Sequence, residues 1–445
     1  MDVSIGGDRL LRLFFAPLVV VIASFYLFPF EFSFAVGVNT KMAMAGFGIF
    51  VFLSQMVMMR NSSINRGLLR VFLWGVLVSI CGLVSVFYNG TSDYAYATYA
   101  VSMFVWVAAA NVVVLVIKEV HGYVSAELIC RYLIAVCVFQ CAAALAIENF
   151  ELVRTVVNTY VVKVASTVSS GNSLEEAGRL YGIGAALDVA GSRFSAILVI
   201  IAFCTMRTGK SWKELTVLLC CFVFVLIVGS AISRTTIIGA VLAVAYWLYS
   251  FMTGELAIKK SVFWKCGLTI IVLSGLIIIY LYNNSQAFYN NFRFAFEAFF
   301  NWAESGELRT NSTDILKDMY RFPDTVKTWI IGDGYFADPH RSDPYFTGIS
   351  YSAFYMGIDA GYLRFIYYFG VIGLATFIIY FFKVAKKCID NSCGYKVMFI
   401  FLLFVNFIVW IKVSTDIFLI FAPFLCINRE ENEASDAKDI KPGAY

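Results

Sequence analysis

Charged residues are scarce in this chain, and so are histidine and proline. Asp, Glu, Lys and Arg make up 14% of the 445 residues, and there are 2 histidines and 7 prolines. Soluble domains carry roughly 25% charged residues, so the composition excludes a soluble globular fold. Apolar residues are abundant instead, at 60% of the chain. They recur in runs of about 18 residues or more, long enough to cross a bilayer as helices.

Several kinds of site are missing as well. The two longest segments between apolar runs, residues 148–189 and 284–360, contain no cysteine, which excludes a disulfide framework. They also lack His/Cys clusters and carboxylates at a recognisable ligand spacing, so we expect no metal and no cofactor. Nothing resembles a P-loop, and the small net charge of +4 gives no reason to expect a nucleic-acid partner.

The apolar runs predict an all-α polytopic membrane protein with about twelve transmembrane helices. The last two runs, 395–411 and 413–428, are crowded together. The two long loops are predicted to contain short amphipathic helices. The predicted division of the chain is residues 1–147 with helices one to five, 148–189 as the first long loop, 190–283 with helices six to nine, 284–360 as the large loop, 361–428 with helices ten to twelve, and 429–445 as a tail.

The distribution of Lys and Arg predicts the orientation. With the N-terminus in the cytoplasm, most of the 34 basic residues fall in inner loops and tails. The short outer connections then hold only Lys41, Arg234 and Lys412. Because cytoplasmic loops are rich in Lys and Arg, both chain ends are predicted to be cytoplasmic and both long loops to lie on the other side.

The composition of the long loops predicts where they lie. In the first, Leu152, Val156 and Tyr160 recur at helical spacing, which predicts a helix on the membrane surface. The second opens with the aromatic stretch FYNNFRFAFEAFFNW, which suits the headgroup boundary. Further along the second loop, Ser312 or Thr313 is predicted to cap a short helix.

Four arginines stand at predicted outer ends of spans: Arg179, Arg193, Arg234 and Arg364. Each alone could reach the lipid headgroups with its flexible side chain. Together they suggest a binding site, because charged groups at membrane depth are costly. Guanidinium groups match phosphate oxygens bidentately and keep their charge in a partly dry site. A lipid-linked phosphate or diphosphate in the outer leaflet would therefore suit them.

Two residues are rival candidates for a general base. Asp359 precedes GYLRFIYYFGVIG and should stand at the mouth of the tenth helix, close to Arg364. It could take a proton from a sugar hydroxyl, or it could simply interact favourably with the helix dipole. His340 lies in the turn-rich stretch IGDGYFADPHRSDPYF, where an exposed loop histidine with no catalytic part is the alternative.

Three motifs in the outer half resemble those of the O-antigen polymerase and ligase superfamily of bacterial envelope enzymes. One is RLYGIGAALDVAG, which begins with Arg179 and departs by one residue from the family's arginine–glycine loop spacing. Another is SRT after a span, centred on Arg234. The third is RFPDTVKTWIIGDG, in which Arg321 and Gly332 have a spacing similar to that loop motif.

A fourth motif separates polymerases from ligases in this superfamily. Ligases carry a histidine with glycines eleven and fourteen positions after it. Here Gly370 and Gly373 stand at those distances from Asp359, so an aspartate takes the histidine's place. Motifs of the type DAGYLRFIYYFG are those of polymerases. The chain therefore resembles Wzy-type polymerases more than ligases.

The resemblance implies a GT-C-like helical fold in the bacterial inner membrane with a periplasmic active site. It implies a metal-independent, inverting glycosyltransferase that joins undecaprenyl-diphosphate-linked oligosaccharide repeat units. The implied partners are that lipid-linked glycan, as donor and as acceptor, membrane lipids, and a chain-length-regulating polysaccharide co-polymerase. The predicted catalytic residue is Asp359, with His340 as its rival, and the predicted diphosphate or glycan contacts are Arg179, Arg193, Arg234, Arg309, Arg321, Gly332, Tyr362 and Arg364.

Two other interpretations stay open. A ligase that transfers glycan to lipid A-core would share the fold and the donor, and Asp359 is the residue that argues against it. A polysaccharide flippase or transporter would also need about twelve helices and buried arginines. Transporters usually show internal repeats and paired broken helices, and neither is visible in the sequence.

Overall fold

The computed structural model describes residues 4–58, 66–162, 179–207, 212–254, 260–342 and 354–427, with the single positions 347, 349 and 429. Within these residues the chain is helical, with isolated bridges such as Phe32 to Val161 in place of sheets. The Gly/Ser-rich part of the first loop, 163–178, and the predicted tail from 430 lie outside the described residues.

The helices are numbered in chain order. They are α1 Ser4–Leu27, α2 Thr40–Met58, α3 Arg66–Asn89, α4 Tyr99–His121, α5 Ala126–Asn149, α6 Glu151–Tyr160, α7 Leu187–Met206, α8 Trp212–Ile232, α9 Thr236–Thr253, α10 Lys260–Asn284, α11 Gln286–Ala295, α12 Glu297–Ser305, α13 Asn311–Met319, α14 Val326–Ile330, α15 Pro339–Ser342, α16 Gly361–Asn391, α17 Lys396–Lys412 and α18 Phe418–Leu425.

Nine helices among the described residues are long and apolar enough to cross a membrane: α3, α4, α5, α7, α8, α9, α10, α16 and α17. The chain is therefore a multi-pass membrane protein, as its composition predicts. The other three predicted spans correspond to α1 and α2, whose described apolar parts are Phe14–Leu27 and Thr40–Val51, and to α18. With 8 residues, α18 is about 12 Å long, well short of the roughly 30 Å hydrocarbon core.

The amphipathic helices gather at one end of the bundle, called the loop end below. The connection between α1 and α2 meets α6 there, where Val162 N donates to Glu31 O over 2.9 Å. At the same end, Lys327 Nζ in α14 donates to Asn89 Oδ1 at the end of α3 over 2.6 Å. The predicted short helices of both long loops are thus present as α6 and α11–α15.

Helix α7 forms the centre of the bundle. In its most apolar stretch 94% of the residues are buried, against 6% for α10. It packs closely on α9, since a Cβ on Gly239 would collide with the backbone of Ser195. Small residues let membrane helices approach in this way. The Ser195 hydroxyl also donates to Thr235 O over 2.7 Å, which fixes the start of α9 against α7.

Helix α16 is broken near its start. Phe369 and Gly370 leave helical geometry, and Gly370 adopts φ 70° and ψ −176°. The break frees backbone carbonyls, and the loop after α14 satisfies them: Asp333 N donates to Tyr367 O over 2.6 Å and Gly334 N to Tyr368 O over 3.1 Å. The IGDG sequence is therefore a docking loop for the broken helix.

The chain between α17 and α18, Val413–Ile417, is not helical, which corrects the prediction of a continuous helical span over 413–428. The sequence does not reveal the break, because the stretch 413–428 is mostly apolar. Side chains supply the backbone hydrogen bonds that a continuous helix would have made. Asn406 Oδ1 accepts from Ile417 N over 3.1 Å, and Trp410 Nε1 donates to Thr415 O over 3.0 Å. Together with α16, this segment also corrects the expectation of no broken helices.

The cap of the predicted short helix in the large loop is displaced. Thr310, rather than Ser312 or Thr313, caps α13: its hydroxyl accepts from Thr313 N while the Thr313 hydroxyl accepts from Thr310 N. The reciprocal pair is a capping box. The prediction was wrong in register because threonine and serine recur in this stretch and any of them can cap.

Candidate functional site

Asp188, at the start of α7, is the centre of a hydrogen-bond network at the loop end. Its Oδ1 accepts from Ser233 Oγ over 2.9 Å and from Thr235 Oγ1. Lys412 Nζ, at the end of α17, lies 3.1 Å from the same oxygen and 3.3 Å from Thr235 Oγ1. The SRT motif that contains Arg234 therefore supplies two hydroxyl donors to one carboxylate.

Arg179 and Arg234 share an aromatic neighbour. Their guanidinium carbons lie 5.0 Å and 4.1 Å from the centre of the Phe294 ring, within the range of cation–π attraction. Arg234 Nε donates to Phe294 O over 3.0 Å, and Nη2 lies 2.6 Å from Glu297 Oε2. Burial lowers the pKa of Arg234, and the nearby positive charge of Arg179 lowers it further. The negative charge of Glu297 raises the pKa of Arg234.

Two nitrogens of this pair, Arg234 Nη1 and Arg179 Nε, are buried and have no hydrogen-bond partner among the described residues. A buried donor without an acceptor is destabilising. Because Glu297 balances only one of the two positive charges, the pair is suited to receive an anion.

Asp359 and Arg364 meet at the start of α16, as their spacing predicts. Asp359 Oδ1 lies 3.9 Å from Arg364 Nη1. Arg364 is buried, its Nη1 donates to Ser414 Oγ over 2.7 Å, and its guanidinium lies between the rings of Phe336 and Phe354, at 3.7 Å and 4.0 Å. The non-helical segment after α17 thus anchors this arginine.

The carboxyl group of Asp359 has a raised pKa. Burial raises its pKa to about 6, although Arg364 and Lys412 favour the charged form. The negative charge of Asp188 adds to the increase. A general base is most effective when its pKa lies near the working pH, so both geometry and pKa suit this role.

Arg193 belongs to a deeper cluster. It is buried in α7, with its guanidinium carbon 5.4 Å from the centre of the Phe28 ring. Its charge and that of Lys41 both interact with the buried carboxylate of Asp416. Lys41 Nζ also lies 4.9 Å from the centre of the Trp106 ring. One buried and one half-buried cation, Arg193 and Lys41, thus lie near the carboxylate that the non-helical segment supplies.

Strained backbone adjoins both site carboxylates. Leu187 and Met356, with φ 53° and 56°, are the non-glycine residues with positive φ in the described chain. Leu187 immediately precedes Asp188, and Met356 comes three residues before Asp359. Such conformations cost about 1–3 kcal/mol each and cluster at functional sites.

Positive charge is in excess across this region. Six basic side chains face five carboxylates, and no group of His, Cys, Asp or Glu among the described residues is arranged to hold a metal ion. The site is therefore suited to an anion. The basic residues are Lys41, Arg179, Arg193, Arg234, Arg364 and Lys412, and the acidic ones are Asp93, Asp188, Glu297, Asp359 and Asp416.

Other sequence-predicted residues lie in different surroundings. His340 Nδ1 lies 3.3 Å from Asp338 Oδ1, and among the described residues Asp359 interacts with Arg364, Asp188 and Lys412 rather than with His340. Arg309 is exposed and pairs with Glu307 and Asp314 in its own loop, at 3.1 Å and 2.9 Å.

Three further residues that were predicted to contact the substrate are exposed or have structural contacts instead. Arg321 is exposed. Gly332 has φ +86°, and a Cβ there would meet the backbone of Tyr368, so it is needed for loop docking. The Tyr362 hydroxyl donates to Phe407 O over 2.9 Å, which joins α16 to α17.

Sequence reasoning missed Asp188, Lys412, Lys41 and Asp416 as site residues. The charge count isolates Lys41 and Lys412 as rare basic residues in short outer connections. Asp188 lies inside the motif RLYGIGAALDVAG. These signals were available. Asp416 also carried a signal, because a carboxylate within a predicted apolar span is costly, but the stretch 413–428 was interpreted as an ordinary span.

Compared with known proteins, the chain matches no family model, and no curated protein or solved structure is significantly similar to it.

Proposed function

We propose that the protein is a surface-polysaccharide polymerase of the O-antigen type. It joins undecaprenyl-diphosphate-linked oligosaccharide repeat units at the periplasmic face of the bacterial inner membrane, and its loop end is the periplasmic end. The observation that carries the proposal is the combination of Asp359, a partly exposed carboxyl with a pKa of about 6, with an excess of buried and half-buried cations in the same region. The sequence motifs of the O-antigen polymerase superfamily supply the reaction type.

The reaction balances with these groups alone. A hydroxyl oxygen of the acceptor sugar forms a bond to the anomeric carbon of the donor, and its proton passes to Asp359. The bond from the anomeric carbon to the lipid diphosphate breaks with inversion, and the diphosphate leaves with the electron pair. Arg179 and Arg234 lie where they could stabilise that developing charge, which is commonly a large part of catalysis. Asp359 would contribute roughly 10²–10⁴-fold as general base.

The excess of positive charge suits this leaving group. A lipid diphosphate bears a negative charge on each phosphate, and arginine binds such oxygens bidentately. The stacking of Arg179 and Arg234 on Phe294 holds both guanidinium groups in place before the substrate arrives, which reduces the entropic cost of binding. The buried donors that lack partners would gain them in the complex.

Glycan banding in cells tests the proposal. Asp359→Asn and Arg234→Ala should each replace the ladder of long lipopolysaccharide with lipopolysaccharide capped by a single repeat unit. The control is Arg131→Ala, which removes an exposed arginine that pairs with Glu127 in α5, away from the site; its ladder should be normal. Normal ladders in both site variants, with normal membrane levels, would exclude the assignment.

One observation favours a second candidate, a flippase or transporter. The non-helical segment Val413–Ile417 contains Asp416 and lies near Arg193 and Lys41. It resembles the broken helices that line transporter sites. Purified protein in vesicles containing lipid-linked repeat units distinguishes the candidates. Elongated glycan indicates the polymerase, transfer to added lipid A-core indicates the ligase, and movement of unchanged lipid between leaflets indicates the flippase.

A further inference from the structure

Two apolar grooves open at the loop end, on either side of α8 and α9. The α9–α17 groove has a volume of about 370 Å³, and α11, α12 and α13 lie across its end. The α8–α10 groove is larger, about 610 Å³, and is closed at its end by α11. The side chains that line the first groove include Ile237, Ile238, Val241, Leu242, Phe299 and Ile408.

The polar ends of the two grooves differ in charge. Arg234 and Lys412 line the α9–α17 groove, and Arg234 Nη1 is buried without a hydrogen-bond partner among the described residues. The α8–α10 groove is lined by Glu148 and Asn149, and by no basic residue among those described. An anionic headgroup is therefore attracted to the first groove. In the second, the Glu148 carboxylate is already paired with Arg154 at 3.8 Å, and none of the described lining residues supplies a cation.

The apolar wall below the two cations has the shape needed for a hydrocarbon chain. Val241 lies seven residues after Arg234 on α9, about 10 Å along the helix axis. On α17, Ile408 lies four residues before Lys412, about 6 Å away. Both helices run down from the charged end, so a chain whose headgroup meets Arg234 would follow them into the apolar layer.

We infer that the α9–α17 groove binds the hydrocarbon chain of a lipid diphosphate, with the diphosphate between Arg234 and Lys412. The identity of the headgroup rests on the proposed function; the position of the chain rests on the groove. Lys412 then contacts the substrate directly and, with Thr235 and Asp188, links the lipid headgroup to the Asp359 region. The α9–α17 groove thus holds one lipid-linked substrate, and Lys412 at its charged end also interacts electrostatically with Asp359.

Matched tryptophan substitutions test this assignment. Val241 in the α9–α17 groove and Ile277 in the α8–α10 groove are 64% and 59% exposed in the protein, so a larger side chain at either place fills the groove without disturbing the core. Full-length wild type, Val241→Trp and Ile277→Trp are placed in phosphatidylcholine nanodiscs. Binding of undecaprenyl diphosphate, undecaprenol, inorganic diphosphate and phosphatidylglycerol is then measured by native mass spectrometry.

Undecaprenyl diphosphate should bind wild type most tightly, because only it offers both chain and diphosphate. Val241→Trp should weaken its binding by at least about tenfold and Ile277→Trp by less than about twofold. Inorganic diphosphate should be insensitive to both substitutions. Equal loss in both variants, no loss in Val241→Trp, or equally tight binding of phosphatidylglycerol overturns the inference. If Val241→Trp has a lower thermal unfolding midpoint than wild type, Val241→Phe replaces it in the binding assay.

The binding assay requires no turnover, so it separates this inference from the proposed function. Lipid diphosphate held in the groove by a protein that elongates no glycan would refute the polymerase and leave the groove assignment intact. Normal elongation by Val241→Trp, with unchanged Michaelis constant for the lipid-linked substrate, would refute the groove and leave the polymerase intact.

Discussion

Lys412 Nζ lies 3.1 Å from Asp188 Oδ1, although 224 residues separate the two in sequence. The contact joins the end of α17 to the start of α7, beside the carboxyl of Asp359. It brings together two elements that no local pattern connects. The pair is partly exposed on both sides, so it can exchange partners with a bound anion, and this makes Lys412 the first residue to test.

Replacing Lys412 with methionine should keep the apolar stem and remove the charge. If the ammonium group stabilises the leaving diphosphate, kcat should fall by about 10²-fold or more. Lys412→Arg should retain activity within about tenfold, because the charge persists. Elongation by purified enzyme is the measurement, and Lys317→Met, on the exposed surface of α13, is the control. Full activity in Lys412→Met would remove this lysine from the mechanism.

The rate of elongation should depend on pH through Asp359. With a pKa of about 6, this carboxyl is protonated and inactive as a base below that pH, so activity should rise as the pH passes through about 6. Arg364 lowers the pKa of Asp359; the substitution Arg364→Gln should therefore move the midpoint to higher pH. Initial rates across the acidic and neutral range provide the test, and an unchanged midpoint in Arg364→Gln would contradict it.

Gly370→Ala should destabilise the protein strongly. Gly370 has φ +70°, and a Cβ there would collide with the carbonyl of Ile330. The strained backbone costs about 1–3 kcal/mol and the steric overlap typically about 1–3 kcal/mol more. The thermal unfolding midpoint in detergent should fall. Gly46→Ala is the matched control, because a Cβ at Gly46 meets no atom within 4 Å; equal midpoints for the two variants would show that the break is unstrained.

Topology follows from the predicted orientation. A reporter active only in the cytoplasm should be silent when fused near Asn311, in α13, and active near Lys387, at the opposite end of α16. The reason is the concentration of Lys and Arg in the loops away from the loop end. The reverse pattern would place the whole site in the cytoplasm and exclude a periplasmic polymerase.

Hydropathy located the long helices well because spanning a membrane is a local requirement of length and composition. The predicted span 395–411, for example, is α17, Lys396–Lys412. Hydropathy misjudged the stretch 413–428, because its residues are apolar whether or not the backbone is helical. The partners that replace the helical hydrogen bonds there, such as Asn406, lie on another helix and carry no signal in the segment itself.

The candidate site was predictable in part. Asp359 and Arg364 are five residues apart and meet across the start of one helix, a distance that sequence spacing can judge. Arg179 and Arg234 could be suspected singly, but their common contact with Phe294 depends on how α11 folds back over the bundle. Gly332 was assigned to binding by motif, and Gly370 was a motif position at a fixed distance from Asp359. In the structure both glycines allow the loop after α14 to pack on α16.

The contact of Lys412 with Asp188 has a consequence for biosynthesis. During translation, α7 and the SRT motif are synthesised and inserted into the membrane before α17. At that stage the Asp188 carboxylate has two hydroxyl donors but lacks the cation of Lys412. Lys412 is synthesised 224 residues after Asp188, together with Ser414 and Asp416. The network around Asp188 is therefore incomplete until α17 has been inserted, and a chain interrupted before α17 lacks the cation of this network.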